Sequence, residues 1–342
     1  MSGKAVVFAF QIKQAVPVVV REGKRLPFFA VEQCVFDVSL GANASALEVE
    51  GSTVPESWNK PVEAVLALQK RPAVVLIVGQ ADSGKSSFCT YLVNRLVSQK
   101  CRVSILDGDL GQSDIGPSGT VGYGTTAKPI TEVYNLRLEN AYFVGVTSPI
   151  LALQKVMQGL TAMEAEVCQR QPDFVVVNTD GWVSGDIAVR YKTELIKELK
   201  PDVVVGIQVQ DELAELLANM QESPAIVVEP SPALNQRTAE KRKALREMTY
   251  ARYLKNAKLQ NYPISQLTVE PINALPRNQE PEKGLLVGLY GQGSKFLGIG
   301  ILREINQTRR ALKVQTSVSA KPQRLVVGKA QIDEKLREVV QA

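Results

Sequence analysis

The chain contains no histidine among its 342 residues. This removes the commonest general base and the commonest metal ligand, so acid–base chemistry falls to carboxylates, lysine or tyrosine. Cysteine is scarce. Cys34, Cys89, Cys101 and Cys168 are scattered without a C-x-x-C spacing, which argues against a disulfide framework and a cysteine zinc site. No segment approaches the ~18 consecutive apolar residues of a transmembrane helix. The N-terminal MSGKAVVFAFQIKQAV lacks a signal-peptide apolar block and reads as a strand, so a soluble cytoplasmic protein with no membrane association is expected. The net charge of +5 is too modest to argue for or against nucleic acid. A hydrophobic content of 45% allows a large core, and the length suggests two or three domains.

The pattern along the chain changes twice. Residues 1–60 read as a β-rich domain, with the strand-like runs AVVFAFQI, PVVVRE and QCVFDVSL separated by Pro, Gly and Asn. Residues 61–262 alternate strands with helices, which implies a parallel sheet covered on both faces. Strands are predicted at Val74–Val78, Val103–Leu106, Ala141–Gly145, Phe174–Asn178, Val203–Gln208 and Ala225–Glu229. Helices are predicted at 61–70, 85–99, 149–168, 186–199, 211–219 and 235–256. Residues 263–342 return to short strands (LTVEPINALP, GLLVGLYG, FLGIGILREI, ALKVQTSVS, RLVVGKAQI) and close on a predicted helix, DEKLREVVQA. The expected fold is an α/β phosphate-loop domain flanked by small β-rich N- and C-terminal domains.

The most specific string is GQADSGKSS, residues 79–87, directly after the apolar run AVVLIV. It fits G-x-x-x-x-G-K-[ST], a glycine-rich loop between a strand and a helix that binds phosphates through backbone N–H groups. Gly79 and Gly84 permit the tight turn, Lys85 supplies charge for the β and γ phosphates, and Ser86 offers a hydroxyl to Mg²⁺. The start of the following helix adds its positive end. Phe88, Tyr91, Leu92 and Leu96 then repeat at helical spacing.

The next strand ends in RVSILDGDLGQSDIGPSGT. Asp107 and Asp109 lie at its end, where one carboxylate can hold Mg²⁺ and another can accept a proton from an attacking hydroxyl. Either can instead cap a turn. Gln112 can orient a phosphate or a water, or face solvent. In NTDGW, residues 178–182, Trp182 follows a strand end and reads either as a stacking platform for a base or as a core residue. The segment QRTAEKRKALREMTYARYLKNAK places Arg242 and Arg246 one helical turn apart, with Arg237 near the start. Such arginines can close over transferring phosphates or can line a solvated helix.

Together these strings resemble the polynucleotide 5′-hydroxyl kinase family, which includes the kinase associated with pre-mRNA cleavage and tRNA processing and its nucleolar pre-rRNA relatives. The matching elements are G-x-x-D-x-G-K-[ST], with Asp82 inside it; D-x-G-Q at Asp109, Gly111 and Gln112, followed by Pro117, Gly119 and Thr120; a clasp string at Gly145, Thr147, Ser148 and Pro149; N-T-x-G-W at Asn178, Thr179, Gly181 and Trp182; and lid arginines Arg237, Arg242 and Arg246. They occur in the family's order over residues 74–256. The short flanks are similar to those of compact prokaryotic-type members, which leaves protein partners unassigned.

The resemblance implies transfer of the γ-phosphoryl of ATP or GTP to the 5′-hydroxyl end of RNA, or of DNA, with Mg²⁺. It implies that Gly79, Gln80, Ala81, Asp82, Ser83, Gly84, Lys85, Ser86 and Ser87 hold the nucleotide. Ser86, Asp107 and Asp109 would serve the metal, and Asp109 would be the general base. Gln112, Thr147, Ser148, Pro149, Trp182 and Arg246 would hold the nucleic acid, and Arg237 and Arg242 would close on the γ-phosphate. Asp180 is an acid beside a proposed RNA platform and is expected to point away from phosphates. Two competing readings are a nucleotide-binding RNA-processing scaffold with little turnover and a GTPase. The second lacks an N-K-x-D guanine-reading string.

Overall fold

The computed structural model describes all residues except 1–2, 221–222, 235, 271–283, 307 and 340–342. The chain packs as two compact units, neither contiguous in sequence. The first comprises Met1–Ile105, Thr125–Arg137 and Val167–Arg237, and the second Leu106–Gly124, Leu138–Glu166 and Thr238–Ala342.

In chain order the elements begin with β1 (Ala5–Val7), β2 (Phe10–Gln11), β3 (Phe29–Ala30), α1 (Asn59–Ala67), β4 (Ala73–Gly79), α2 (Lys85–Ser98), β5 (Val103–Asp107), β6 (Thr120–Thr126) and β7 (Asn140–Phe143). They continue with α3 (Leu153–Gln169), β8 (Phe174–Asn178), α4 (Asp186–Leu199), β9 (Val203–Ile207), α5 (Ala214–Ala218), β10 (Ala225–Val228) and α6 (Ala239–Tyr253). The remaining strands are β11 (Lys258–Pro263), β12 (Thr268–Glu270), β13 (Leu285–Tyr290), β14 (Phe296–Asn306), β15 (Ala311–Thr316), β16 (Arg324–Ile332) and β17 (Glu338–Val339).

The first unit is built on strands in the order β10–β9–β4–β8–β5. β4 (AVVLIVG), β8 (FVVVN) and β9 (VVVGI) are buried at every position. Such β-branched runs suit parallel strands covered on both faces, and each fully buried Val, Leu or Ile side chain stabilises by ~1.5–3 kcal/mol. β4 runs parallel to β8, with Ile77 opposite Asn178, and parallel to β9, with Gly79 opposite Ile207. The loops that leave β4 and β8 therefore emerge at one sheet edge, the usual place for a ligand in such sheets. α2 buries Phe88, Leu92 and Leu96 and packs on β4 and β8. Trp58 meets Phe88 edge to face at 5.3 Å and donates through Nε1 to the Glu229 carbonyl at 2.8 Å.

In the second unit β6 and β7 pair antiparallel, with Val121 opposite Tyr142. The sequence pattern had not revealed β6, whose glycines (TVGYGTT) interrupt the apolar run, and an all-parallel arrangement does not hold here. The C-terminal strands form a sheet ordered β11–β15–β14–β13–β16–β12, with β17 on β16. Alternation along β13 sends Leu286 and Tyr290 to a core that contains Phe143 and Tyr250 of α6, and Val287 and Leu289 to a second core with Leu312 and Val314. The Phe143 N–H donates to the Tyr290 hydroxyl at 2.6 Å.

Two local expectations fail. Strands do not form at residues 17–22 or 33–40, where only an isolated bridge at Val35 is present. Val19, Val35 and Val38 are 75%, 62% and 60% exposed, so little burial offsets the entropy of ordering them as strands. The helix predicted from Asp333 is a turn leading into β17. Asp333 Oδ1 accepts from the N–H groups of Lys335 and Arg337 at 2.8 Å each, and Leu336 is left-handed at φ 62°. This Asx-type turn folds Glu338 back opposite Ile332. Part of the run LTVEPINALP lies outside the described residues; within them it forms β12. Among the described residues no helix is long and apolar enough to cross a membrane.

Candidate active site

In the first unit the chain leaves β4 into the phosphate loop and enters α2 at Lys85, with Gly84 at φ 100° as its N-cap. That left-handed conformation is open to glycine at no steric cost. Asp82 is also left-handed, at φ 62°. Lys85 is 6% exposed, and its ammonium donates to the carbonyls of Gly79 at 2.9 Å and Gln80 at 2.8 Å. The cation is thus held inside the curl of the loop. Among the described residues the buried Ser83 Oγ has no hydrogen-bond partner. A buried cation, an orphaned hydroxyl and a helix start are the features that accept a polyphosphate. Gln80, Ser86 and Ser87 are half-buried and Ala81 is exposed.

Asp82 pairs with Arg237. The Arg237 N–H donates to Asp82 Oδ2 and its Nη1 to Oδ1, both at 2.9 Å. Arg237 is therefore attached to the phosphate loop itself.

The NTDGW turn leaves β8 beside this loop. Thr179 Oγ1 donates to the Ile77 carbonyl of β4 at 2.9 Å. A methyl group on Gly181 would sit 2.5 Å from Ala81 Cα, and nearer still to its N, so glycine is what lets the two backbones touch. Trp182 is half-buried, with Tyr191 stacked behind its ring at 6.2 Å and 26°. Asp180 points inward, away from solvent, and pairs with buried Lys192 at 2.8 Å.

In the second unit the turn after β5 is organised by its own aspartates. Asp107 is fully buried. Its Oδ2 accepts from Ser113 Oγ (3.1 Å), Asp114 N (2.7 Å) and Ile115 N (3.3 Å), and its Oδ1 from Asp109 N (3.3 Å). Burial, then the neighbouring Asp114 and Asp109, push its pKa up to about 7 against those backbone donors. Asp109 is half-buried, and its Oδ1 accepts from the N–H groups of Gly111 (3.1 Å) and Gln112 (2.9 Å).

Gln112 Nε2 donates to the Arg242 carbonyl at 3.2 Å, tying this turn to α6. Thr238 caps α6 by accepting from Lys241 N at 3.3 Å. Arg242 is half-buried. Arg246 donates through Nε to Glu338 Oε2 at 2.7 Å, and Thr147 Oγ1 lies 3.4 Å from Glu338 Oε1. The third arginine and the first hydroxyl of the clasp therefore share one carboxylate. Ser148 is half-buried at the N-terminal edge of a short 3₁₀ turn whose first residue is the buried Pro149.

The family model described as mRNA cleavage and polyadenylation factor CLP1 P-loop matches residues 79–256, just over half of the chain. The chain belongs to this family. Among curated proteins it is similar to the polyribonucleotide 5′-hydroxyl-kinase of Pyrococcus horikoshii, 28% identical over 239 residues, which is 69% of this chain and 65% of that protein. The match to its namesake in Methanocaldococcus jannaschii is 24% identical and covers 84% of this chain and 94% of that one. The polynucleotide 5′-hydroxyl-kinase NOL9 of Arabidopsis thaliana is 25% identical, over 80% of this chain and 88% of NOL9. Against the Pyrococcus relatives the chain spans about two thirds of their length. Its fold is similar to that of a chain in the wild-type Clp1p–Pcf11p complex, with TM-score 0.70 at 13% identity, over 96% of this chain and 91% of that one.

Two residues of these side-chain arrangements, one in each unit, escaped the sequence reading. Glu338 carried no signal, because it lies in the segment misread as a helix. Lys192 did carry one. It falls on the apolar stripe of α4 with Ala188, Leu195, Ile196 and Leu199, where an unpaired lysine is costly. Gly181→Ala is expected to push the NTDGW turn off the phosphate loop, costing ~1–3 kcal/mol as overpacking does. Thermal unfolding with and without ATP checks this: Tm falls, and ATP restores less than it does for the parent. An unchanged ATP-induced shift would refute the coupling.

Proposed function

We propose that the chain is a polynucleotide 5′-hydroxyl kinase that transfers the γ-phosphoryl of ATP, or of GTP, to the 5′-hydroxyl of RNA, or of DNA. The observation that carries this reading is the first-unit arrangement in which a tryptophan turn and an arginine both fasten to the phosphate loop. A plain nucleotide hydrolase has no need of an aromatic ring beside its donor site, whereas a polynucleotide acceptor brings bases that stack. Membership of the CLP1 family and the names of the archaeal relatives support the same reading.

The roles follow from the chemistry of each group. Lys85 and the backbone N–H groups of residues 79–87 hold the triphosphate. Asp109 takes the proton as the 5′-oxygen attacks phosphorus in line and the bond to the β,γ-bridging oxygen breaks. Asp109, half-buried, suits this role better than Asp107, which is fully buried and out of reach of an incoming hydroxyl. Asp107 shapes the turn after β5. Arg237 and Arg242 neutralise charge on the transferring group. Gln112, Thr147, Ser148, Pro149 and Arg246 hold the nucleic acid end, and Trp182 stacks on its first base.

Among the described residues no three His, Cys, Asp or Glu side chains cluster as a metal site. Ser86, at the start of α2, offers the kind of hard oxygen that Mg²⁺ takes alongside substrate phosphates. When bound, Mg²⁺ supplies charge neutralisation on the phosphate oxygens. Cys34, Cys89, Cys101 and Cys168 are thiols rather than disulfides, which suits a reducing compartment such as the cytoplasm.

The test is transfer of labelled γ-phosphate to single- and double-stranded RNA and DNA, each with a free 5′-hydroxyl. Label is expected on the 5′ end of at least one RNA and on none of the same oligonucleotides already bearing a 5′-phosphate. Nucleotide hydrolysis that ignores the 5′-hydroxyl would favour a GTPase instead. Binding without turnover would favour a scaffold.

A further inference from the structure

Asp180 lies in the NTDGW turn, where an outward carboxylate would repel an RNA backbone. The structure turns it inward. Its side chain is 6% exposed, and its partner Lys192 is fully buried. Oδ1 accepts the Trp182 N–H at 3.0 Å. Oδ2 accepts from the Tyr191 hydroxyl at 3.1 Å and from Lys192 Nζ at 2.8 Å. Lys192 Nζ also donates to the Asp180 carbonyl at 3.2 Å. A single carboxylate thus fixes both the backbone from which the Trp182 side chain springs and the Tyr191 ring stacked behind it.

A buried ion pair is a weak source of stability, because desolvating two charges offsets most of their attraction, and well-packed apolar groups can do as well. The arrangement is more informative as geometry. Lys192 neutralises Asp180, and Asp180 divides its two oxygens between the Trp182 backbone and the Tyr191 hydroxyl, whose ring stacks on the indole. Stacking on a base rewards a ring that is already held in place, since ordering a loose side chain subtracts from binding.

Building on the reading of Trp182 as the base platform, we infer that Asp180, held by Lys192, is a positioning residue that sets the indole for the first base of the acceptor. It acts through Trp182 and Tyr191, and its effect falls on recognition of the terminal base.

The test compares two acceptors with the full chain: an oligonucleotide with a normal 5′-terminal nucleotide, and the same oligonucleotide abasic at that position. The parent is expected to show a KM about tenfold lower for the base-bearing acceptor, at the low end of what base–aromatic stacking is worth. In Asp180→Asn the amide presents N–H groups where Oδ2 accepted from Tyr191 and Lys192. The KM ratio should then fall below about twofold, with the change in KM rather than in kcat. Tyr191→Phe keeps the ring and loses only its bond to Oδ2, so it should lower the ratio part-way. It decides the matter if Asp180→Asn does not fold. Trp182→Ala separates this inference from the reading beneath it. If Trp182→Ala abolishes the ratio while the folded Asp180 and Tyr191 variants keep it, the positioning role is wrong and the platform stands. If Trp182→Ala itself keeps the ratio, the platform is wrong and the inference falls with it.

Discussion

Asp109→Asn is expected to lower phosphoryl transfer to a 5′-hydroxyl oligonucleotide by ~10²–10⁴-fold, the range that a positioned general base contributes. Asparagine is the informative replacement because Asp109 does two things. Its Oδ1 accepts from Gly111 and Gln112, and an asparagine carbonyl can keep both bonds. Gln112 in turn donates to the Arg242 carbonyl of α6, so an alanine at 109 would also loosen the hold of this turn on α6. Asparagine can keep those two bonds while it removes the carboxylate proposed to take the proton. Single-turnover transfer measured beside ATP affinity checks the assignment. Affinity should stay within a few-fold of the parent while transfer collapses. A transfer rate within a few-fold of the parent would mean that the proton leaves by another route.

Lys85→Ala is expected to reduce transfer by ~10²-fold or more, the cost of removing one preorganised charge from a developing transition state. The ammonium is buried between the Gly79 and Gln80 carbonyls. Its removal also leaves those carbonyls without that donor, so some loss of loop order comes with the loss of charge. The backbone N–H groups and the start of α2 remain, and they continue to attract phosphate. ATP binding should therefore weaken less than turnover, which isothermal titration beside kcat resolves. Equal losses in both would show that Lys85 binds ground state and transition state alike and does not favour transfer.

Much of the first unit was legible in the sequence because its signals are local. Strands such as Phe174–Asn178 and helices such as Asp186–Leu199 are bounded as the pattern predicted, since a β-branched run and a 3.6-residue stripe each carry their own period. The ends of the chain were less legible. The run QCVFDVSL has strand composition, but strand formation depends on a neighbouring edge and on burial, which composition does not report. At Asp333 a helical pattern lost to a side chain that caps a turn and to the open edge of β16, and only the assembled sheet supplies that edge.

The sequence alone determined that this chain carries a phosphate loop, an acidic strand end, a tryptophan turn and three arginines, because each is a short string whose chemistry does not depend on distant neighbours. Only the tertiary structure decided what those groups hold. Asp82 takes Arg237, Asp180 turns inward to Lys192, and Glu338 collects Arg246 and Thr147. The physical reason is that an ion pair or a close backbone contact joins residues on different elements, 155 positions apart for Asp82 and Arg237 and 12 for Asp180 and Lys192. Its partner is chosen by strand register and by which side chains burial leaves facing one another, and neither quantity is written in any local stretch of sequence.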